Sequence, residues 1–398
     1  MSEPARSAFM PQEELIEKTV GRRHMSIGMP HDVLDDEKRI ALTPEAVKIL
    51  TDAGHDVFLE TGAGVAAGFS DREYSDNGAM VTDMSQKIYG CDFVIKIAPF
   101  TREEASMLRG GQIVISFMNA ATMNEETIAL MMRKRVTALA SENIRDSDGM
   151  LPVVESMSEI SGITSVLLAS EYLSTTSGGK GVMLGGVTGV TPTEVVIIGA
   201  NTAGEYAARA ALGLGAIVRV FDTSVHRLRN FQNLLGQRLY TSTFHPQVLQ
   251  KALKSADVLI GALSTNILMP WFYVTEEMVK GMKRGSVIVD LSIDTGGCVE
   301  TAEPRAIKDP IYEKHGVIHY SAWNLPSRVP KTASIALSNV FRPLMQEISD
   351  AGGITPMLKF NTGLRDGVYI YNGILTNEAL GQKFGILSKD INLLLAAF

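Results

Sequence analysis

Cysteine is scarce in this chain. Cys91 and Cys298 are the two among 398 residues, and they form no CxxC pattern. That excludes a disulfide framework and a thiolate metal site, and a reducing compartment is the expectation. Long apolar runs are missing as well. No stretch reaches the roughly 18 residues that a membrane span requires, and the closing "INLLLAAF" is too short. The first 24 residues carry no apolar core of the kind a secretory signal needs. Positive charge is the minority, 37 Lys and Arg against 44 Asp and Glu, for a net charge of −7. A nucleic-acid backbone is therefore a poor partner. None of the seven histidines has metal-ligand spacing, since His315 and His319 flank a strand-like "GVIHY" rather than sharing a helix face. These absences lead to the expectation of a soluble cytoplasmic protein without a metal site.

What is present is a regular alternation. Hydrophobic residues make up 45% of the chain and charged residues 20%, ordinary values for a protein with sizeable cores. The length favours two domains over one. Residues 1–24 read as an extension, helical at "PQEELIEKTV". From Met25 onward, strand-like and helix-like segments alternate. "MSIGMP", "HDVFLET", "YSDNGAMV", "DFVIKIA", "QIVISFM" and "VTALASE" read as strands, and "TPEAVKILTDAG" and "NEETIALMMRKR" as helices. A long helical stretch, "MSEISGITSVLLASEYLSTT", and a glycine cluster at 177–190 precede a second series: "EVVIIGA", "AIVRVFD", "VLIGAL", "SVIVDLS" and "GVIHYSA". Alternation of this kind implies an α/β fold with mostly parallel sheets covered by helices. The tail, which opens on helix-like "TASIALSNVFRPLMQEISDAG", carries no nucleotide motif and is expected to return to the first unit.

The most informative stretch is "EVVIIGANTAGEYAARAALGLGAIVRVFD". It reads strand, tight turn, helix, strand, with Gly199, Asn201 and Gly204 in a G-x-N-x-x-G arrangement. That is one residue away from the dinucleotide fingerprint, whose first glycine makes the turn and whose third lets helix and strand pack closely. The middle glycine normally admits the pyrophosphate to the helix N-terminus. Asn201 stands there instead, a residue type that tolerates left-handed dihedrals. Asp222 ends the next strand, 18 residues after Gly204, where an acid commonly holds the adenosine ribose diol. These features point to NAD. A Rossmann-type domain that no longer binds nucleotide is the alternative.

At this point a resemblance becomes specific. "IGMP", "EKRIALTPEAV", "GHDVFLETGAG", "FSDREY", "MSEISG", "GGKGVMLGGVTGV", "SVIVDLSIDTGGCVE" and "NLPSRVPKTAS" occur in order from Met25 to about Asn339. The chain resembles alanine dehydrogenase and the related alpha subunit of nicotinamide nucleotide transhydrogenase. The resemblance implies two Rossmann-like domains with an interdomain cleft. Residues 25–152 plus 331–398 would form the substrate domain, and 153–330 the dinucleotide-binding domain. It also implies NAD, a small 2-amino or 2-oxo acid, and a homo-oligomer, hexamer or dimer. Arg39 matches the arginine that forks onto the substrate carboxylate. Asp294 matches an active-site acid, while Ser158 and Asn324 match cofactor contacts.

Two matched positions depart. Ala98 stands where the family carries a lysine that polarises the substrate carbonyl, and Asn119 where it carries the acid–base histidine. Asparagine donates and accepts hydrogen bonds but takes up no proton at neutral pH. Lys96, two residues before Ala98, points to the same face of an extended strand at about 6.6 Å, so it is the candidate replacement. The segment after "VLIGAL" also departs, reading "STNILMPWFYV", with Trp271 and Phe272. Three readings stay open: an NAD-dependent oxidoreductase on a small 2-amino or 2-oxo acid, a binding relative with a regulatory or structural role, and hydride exchange between nucleotides.

Overall fold

The computed structural model describes residues 23–34, 36–120, 123–263 and 272–396. The helix read at 11–20 and the apolar loop at 264–271, Trp271 included, lie outside them. Two sheets organise the rest. The first has eight strands in the order β15-β14-β6-β5-β4-β1-β2-β3. These are β1 Ser26–Met29, β2 Asp56–Glu60, β3 Met80–Thr82, β4 Phe93–Ile95, β5 Ile113–Ser116, β6 Thr137–Ala140, β14 Val368–Tyr371 and β15 Ile374–Leu375. The second has seven, in the order β12-β13-β11-β10-β7-β8-β9. These are β7 Glu194–Ile198, β8 Ile217–Phe221, β9 Tyr240–Ser242, β10 Val258–Gly261, β11 Val287–Asp290, β12 Ile311–Lys314 and β13 Val317–Tyr320. Pairing is parallel except where β12 meets β13, β14 meets β6 and β15 meets β14. The expected α/β architecture with two mostly parallel sheets is therefore what the chain forms.

The strand sequences explain why. β6, β10, β11 and β13 are buried at every position, as a sheet covered by helices on both faces requires. Helices supply that cover with one apolar face each. In Pro44–Asp52, Thr43 caps the first turn, proline sits at its start, and Val47 and Leu50 are fully buried. Each such side chain contributes about 1.5–3 kcal/mol. Gly54 lies just beyond it at φ +91°, a left-handed position that stops the helix. One strand reading needs correction. "YSDNGAMV" is a helix end, Asp71–Asp76, followed by a short β3. Ser70 and Glu73 form a reciprocal capping box that holds the first half helical.

In both sheets the chain reverses direction of build. β1 lies between β2 and β4, and β7 between β8 and β10. Each reversal opens a crevice at the carboxyl ends of the strands, where α/β proteins bind ligands. Two long helices tie the units together. Pro152–Leu173 runs against Thr202–Gly213 so closely that a Cβ on Gly162 would lie 2.3 Å from the Ala203 carbonyl oxygen. Pro330–Asp350 returns towards the first sheet, where Ser334 and Ser338 accept from the amides of Ile40 and Thr43. The tail strands β14 and β15 then extend that first sheet.

Candidate active site

Arg39 sits in the crossover after β1 and is buried, 8% exposed. The surrounding backbone is strapped down by serine hydroxyls at Lys38, Ile40 and Thr43. Its guanidinium donates from Nε to Glu37 Oε1 (2.8 Å) and from Nη2 to Glu37 Oε2 (2.6 Å). Nη1 meets Met157 Sδ at 3.3 Å, and the Phe117 ring lies 6.0 Å away. Only one edge of the fork is thus occupied by Glu37. Glu37 also accepts from Asn324 Nδ2 at 3.0 Å, and the Asn324 amide donates to Asp294 Oδ2 at 3.4 Å. A continuous polar chain, Arg39–Glu37–Asn324–Asp294, therefore joins the two sheets. Asn324 has left-handed backbone, φ +53°, a conformation its residue type tolerates. Asp294 lies in the short helix Ile293–Thr295 after β11. Burial holds its carboxyl above the usual range, opposed by the Asn324 amide and the Arg39 charge. The loop that presents it is organised by Asp290, which accepts from the amides of Ser292, Cys298 and Val299.

Lys96 follows β4 directly, because the strand ends at Ile95 and Pro99 then interrupts the ladder. Its Nζ is buried between two carboxylates, Glu104 Oε1 at 2.5 Å and Asp32 Oδ1 at 2.9 Å. The first is a hydrogen bond and the second an electrostatic contact off the hydrogen-bond line. Asp32 Oδ2 faces the amides of Ile97 and Ala98 at 3.4 Å. Asn119 lies beyond the end of β5, and its carbonyl accepts from Met123. The amides of Met118 and Asn119 point at the Glu142 carboxylate, which follows β6; the Met118 amide is 2.9 Å from Oε1. Burial pushes the Glu142 carboxyl up to about 7.

The nucleotide turn is formed by β7 and helix Thr202–Gly213. Gly199 has φ +112°, and a Cβ there would lie 2.8 Å from the Ala262 carbonyl carbon. A Cβ on Gly204 would lie 2.0 Å from the Gly199 oxygen. Both glycines are therefore required by the backbone. Asn201 is different from the expectation: its φ of −110° and ψ of −175° are extended, so no left-handed tolerance is called on. Its Oδ1 caps the helix at Gly204 N (3.0 Å) and its Nδ2 donates to Ala262 O (2.5 Å). Ser158 lies one turn before Gly162 on the helix face that approaches this turn. Asp222, fully buried, accepts from Ala200 N at 2.8 Å. These features fit a dinucleotide: two glycines held open, a helix N-terminus and an acid after the next strand.

Comparison with known proteins agrees with that geometry. The alanine dehydrogenase/PNT N-terminal domain profile matches residues 28–161, and the C-terminal domain profile matches 165–378. The chain belongs to the alanine dehydrogenase/PNT family. Alanine dehydrogenase of Bacillus subtilis is 39% identical over 363 residues, 91% of this chain and 95% of that one. Alanine dehydrogenase of Staphylococcus saprophyticus is 36% identical over 92% of this chain and 99% of that one. Among solved structures, an L-alanine dehydrogenase superposes with TM-score 0.84 at 36% identity, covering 91% of this chain and 99% of that one. A transhydrogenase from Sinorhizobium meliloti shares the fold, with TM-score 0.73 at 24% identity over 89% of this chain and 99% of that one.

Within this family framework, two carboxylates were passed over by the sequence reading. Glu37 is two residues before Arg39 in an extended segment, a spacing that puts both on one face. Glu142 lies just past β6, in the short helix Ser141–Asn143 at the carboxyl edge of the sheet, where active groups collect. Both cysteines are free and buried. His319 bonds Thr301 and the Val317 carbonyl, and His315 pairs with Glu276. Among the described residues, no three His, Cys, Asp or Glu side chains converge on a metal position, and no helix is long and apolar enough to cross a membrane. Of the apolar segment after β10, Tyr273 packs at a tilt against Phe244, ring centroids 4.4 Å apart, both half-buried against the second unit's core.

Two measurements test this geometry. Asn201→Gly releases the Gly204 amide and leaves a residue that caps nearly as well. NADH fluorescence titration should show binding tightened by about tenfold, a charged hydrogen bond's worth. Unchanged affinity would show that the asparagine side chain yields to nucleotide at no cost. The second concerns Glu142. Because its folded carboxyl titrates near 7, the folded chain holds an extra proton between the ordinary carboxylate range and that pH. Its stabilising contribution is complete at low pH and lost as pH rises through about 7, by on the order of 1–3 kcal/mol. Thermal unfolding from pH 5 to 8 should show this loss in the parent and not in Glu142→Gln. Parallel pH profiles would remove Glu142 as the cause.

Proposed function

We propose that this chain is an NAD(H)-dependent dehydrogenase of a small 2-amino acid, of the alanine dehydrogenase type, interconverting the amino acid with its 2-oxo acid and ammonia. The observation that carries the reading is the polar chain from buried Arg39 and Glu37 through Asn324 to Asp294, which sets a cationic fork from one sheet beside an acid from the other. Bound nicotinamide supplies the hydride acceptor or donor. Arg39 holds the substrate carboxylate through its Nη1–Nη2 edge, since Glu37 occupies the Nε–Nη2 edge. Asp294, its carboxyl raised by burial, takes up and returns the proton of the substrate nitrogen or oxygen. Asn324 and Ser158 border the nicotinamide side, and Gly199, Gly204 and Asp222 hold the dinucleotide. Asn119 orients the substrate by hydrogen bonds. Lys96, fixed by Asp32 and Glu104, holds the strand end that carries Ala98. The family resemblance supports a homo-oligomer, which light scattering on the purified protein checks.

A second reading has its own observation. Ala98 and Asn119 leave the substrate side without the carbonyl-polarising lysine and the acid–base histidine, which favours a nucleotide-binding relative with little turnover. Purified protein with NADH, ammonia and a panel of 2-oxo acids separates the two. NADH consumption with pyruvate or a near neighbour supports the dehydrogenase. NADH binding without consumption across the panel would sink it and leave the second reading.

A further inference from the structure

The end of the first sheet opposite the cleft encloses a cavity of about 180 Å³. The hollows on the cleft side, at Arg39 and at Asp294, measure about 20 and 30 Å³. At about 30 Å³ per water in the liquid, the larger cavity has room for a small metabolite rather than one or two waters. Its walls are strand edges. Met25 precedes β1, Phe93 opens β4, Gly111 precedes β5, Thr137 opens β6, and Asn372 follows the antiparallel β14. The tail closes it with Gly353, Ile354 and Thr355.

These walls present donors. Arg109 gives Nη2 to Asp92 Oδ1 at 2.9 Å, and its side chain is 55% exposed. That contact leaves the rest of the guanidinium fork open among the described residues. Asp92 is the one acid in the wall, and its Oδ2 accepts from the Ser26 amide (3.2 Å) and hydroxyl (3.0 Å). Its charge is thus already engaged from both sides. Arg23 is anchored by its backbone: its amide donates to Ser349 O at 3.0 Å, and its carbonyl accepts from Ser349 Oγ at 2.9 Å. Its guanidinium has no carboxylate partner among the described residues. It lies over Gly353, where φ is +123° and a Cβ would sit 3.0 Å from Arg23 Nη1. The glycine therefore keeps the space beneath that guanidinium clear. Asn372 has left-handed backbone, φ +48°. Thr137 Oγ1 holds its amide at 3.1 Å and its Oδ1 at 3.4 Å, which leaves Nδ2 to donate.

We propose that this cavity binds the phosphate group of a small metabolite, at a place separate from the cleft. Two cations face one acid whose charge is already matched. Each guanidinium grips oxygens in pairs. A phosphate monoester offers three terminal oxygens and close to two negative charges, enough for both forks, whereas a carboxylate offers two oxygens and one charge. The site touches the amino ends of β1, β4, β5 and β6. Those strands lead to Arg39, Ala98, Asn119 and Glu142 at their other ends, so a ligand here contacts the substrate unit without entering its cleft.

The test is calorimetric titration of the full-length protein with inorganic phosphate and with glycerol 3-phosphate, in excess NADH so that the nucleotide turn is not the site read. The variants are Arg23→Gln, Arg109→Gln and, as a cleft control, Arg39→Lys, with thermal unfolding to confirm that each is folded. The parent should bind at least one probe with a Kd of about 1 mM or tighter. Arg23→Gln and Arg109→Gln should each weaken it by about tenfold or more, and Arg39→Lys by less than about threefold. Tighter binding of glycerol 3-phosphate assigns the site to an ester, and tighter binding of inorganic phosphate assigns it to the free anion. No saturation by either probe up to about 20 mM overturns the proposal. So do arginine variants that bind like the parent, or a loss in Arg39→Lys equal to theirs, which would put the probe in the cleft.

Discussion

Replacing Arg39 with lysine should raise the KM for any 2-oxo acid by about a hundredfold while the affinity for NADH changes less than threefold. The physical basis is the fork. Glu37 occupies the Nε–Nη2 edge of Arg39, and the remaining edge is planar and preset for a carboxylate. Lysine keeps a positive charge next to Glu37 but lacks the planar fork that grips each carboxylate through a pair of N–H groups. Loss of one bidentate, charge-assisted contact in a buried site amounts to roughly 2–3 kcal/mol, or about a hundredfold. Arg39→Ala is the harsher variant, because it also strands Glu37, whose side chain is only 4% exposed. Breaking a buried pair by removing one partner costs about 3–5 kcal/mol. The alanine variant should therefore lose both saturation and stability, and the lysine variant chiefly saturation. Kinetics unchanged in Arg39→Lys would take Arg39 out of the substrate site.

The second large effect runs the other way. Asn119→His combined with Ala98→Lys should raise NAD-dependent alanine oxidation by about 10²–10⁴-fold, the usual worth of a positioned acid–base group. Asn119 follows β5, and an imidazole there would restore a group that takes up and returns a proton near neutral pH. Ala98 follows Lys96, whose charge is already matched by Asp32 and Glu104. A lysine at 98 would thus add a new cation rather than duplicate one. Steady-state rates of the double variant and each single variant decide it. A double variant no faster than the parent would mean that the pocket has changed shape beyond these two side chains.

Much of the framework was legible because it depends on local pattern. Continuous apolar runs such as "EVVII" have one way to be buried in a helix-covered sheet, and β7 is buried at four of its five positions. Gly199 and Gly204 were legible for the same kind of reason, since each backbone contact that excludes a Cβ is made within one strand–turn–helix unit or its neighbour. "YSDNGAMV" was misread because its apolar end resembles a strand, while the capping box that decides the matter begins four residues upstream at Ser70.

Partnerships across the chain were not legible. Glu37 meets Asn324 from 287 residues away, and Glu142 meets Met118 from 24. Lys96 looked like a reaching catalytic group from its spacing to Ala98, yet Asp32 and Glu104 converge on it from two other segments. Asn201 looked like a tolerance for unusual dihedrals and is an extended helix cap instead.

By itself, then, the sequence determined most element types, the parallel sheets, the nucleotide turn and the residue kinds offered at each strand end, because periodicity and motif spacing act over a few residues. Only the tertiary structure decided which carboxylate each cation meets. Burial makes that choice: a charge removed from water must find a partner wherever the packed chain supplies one.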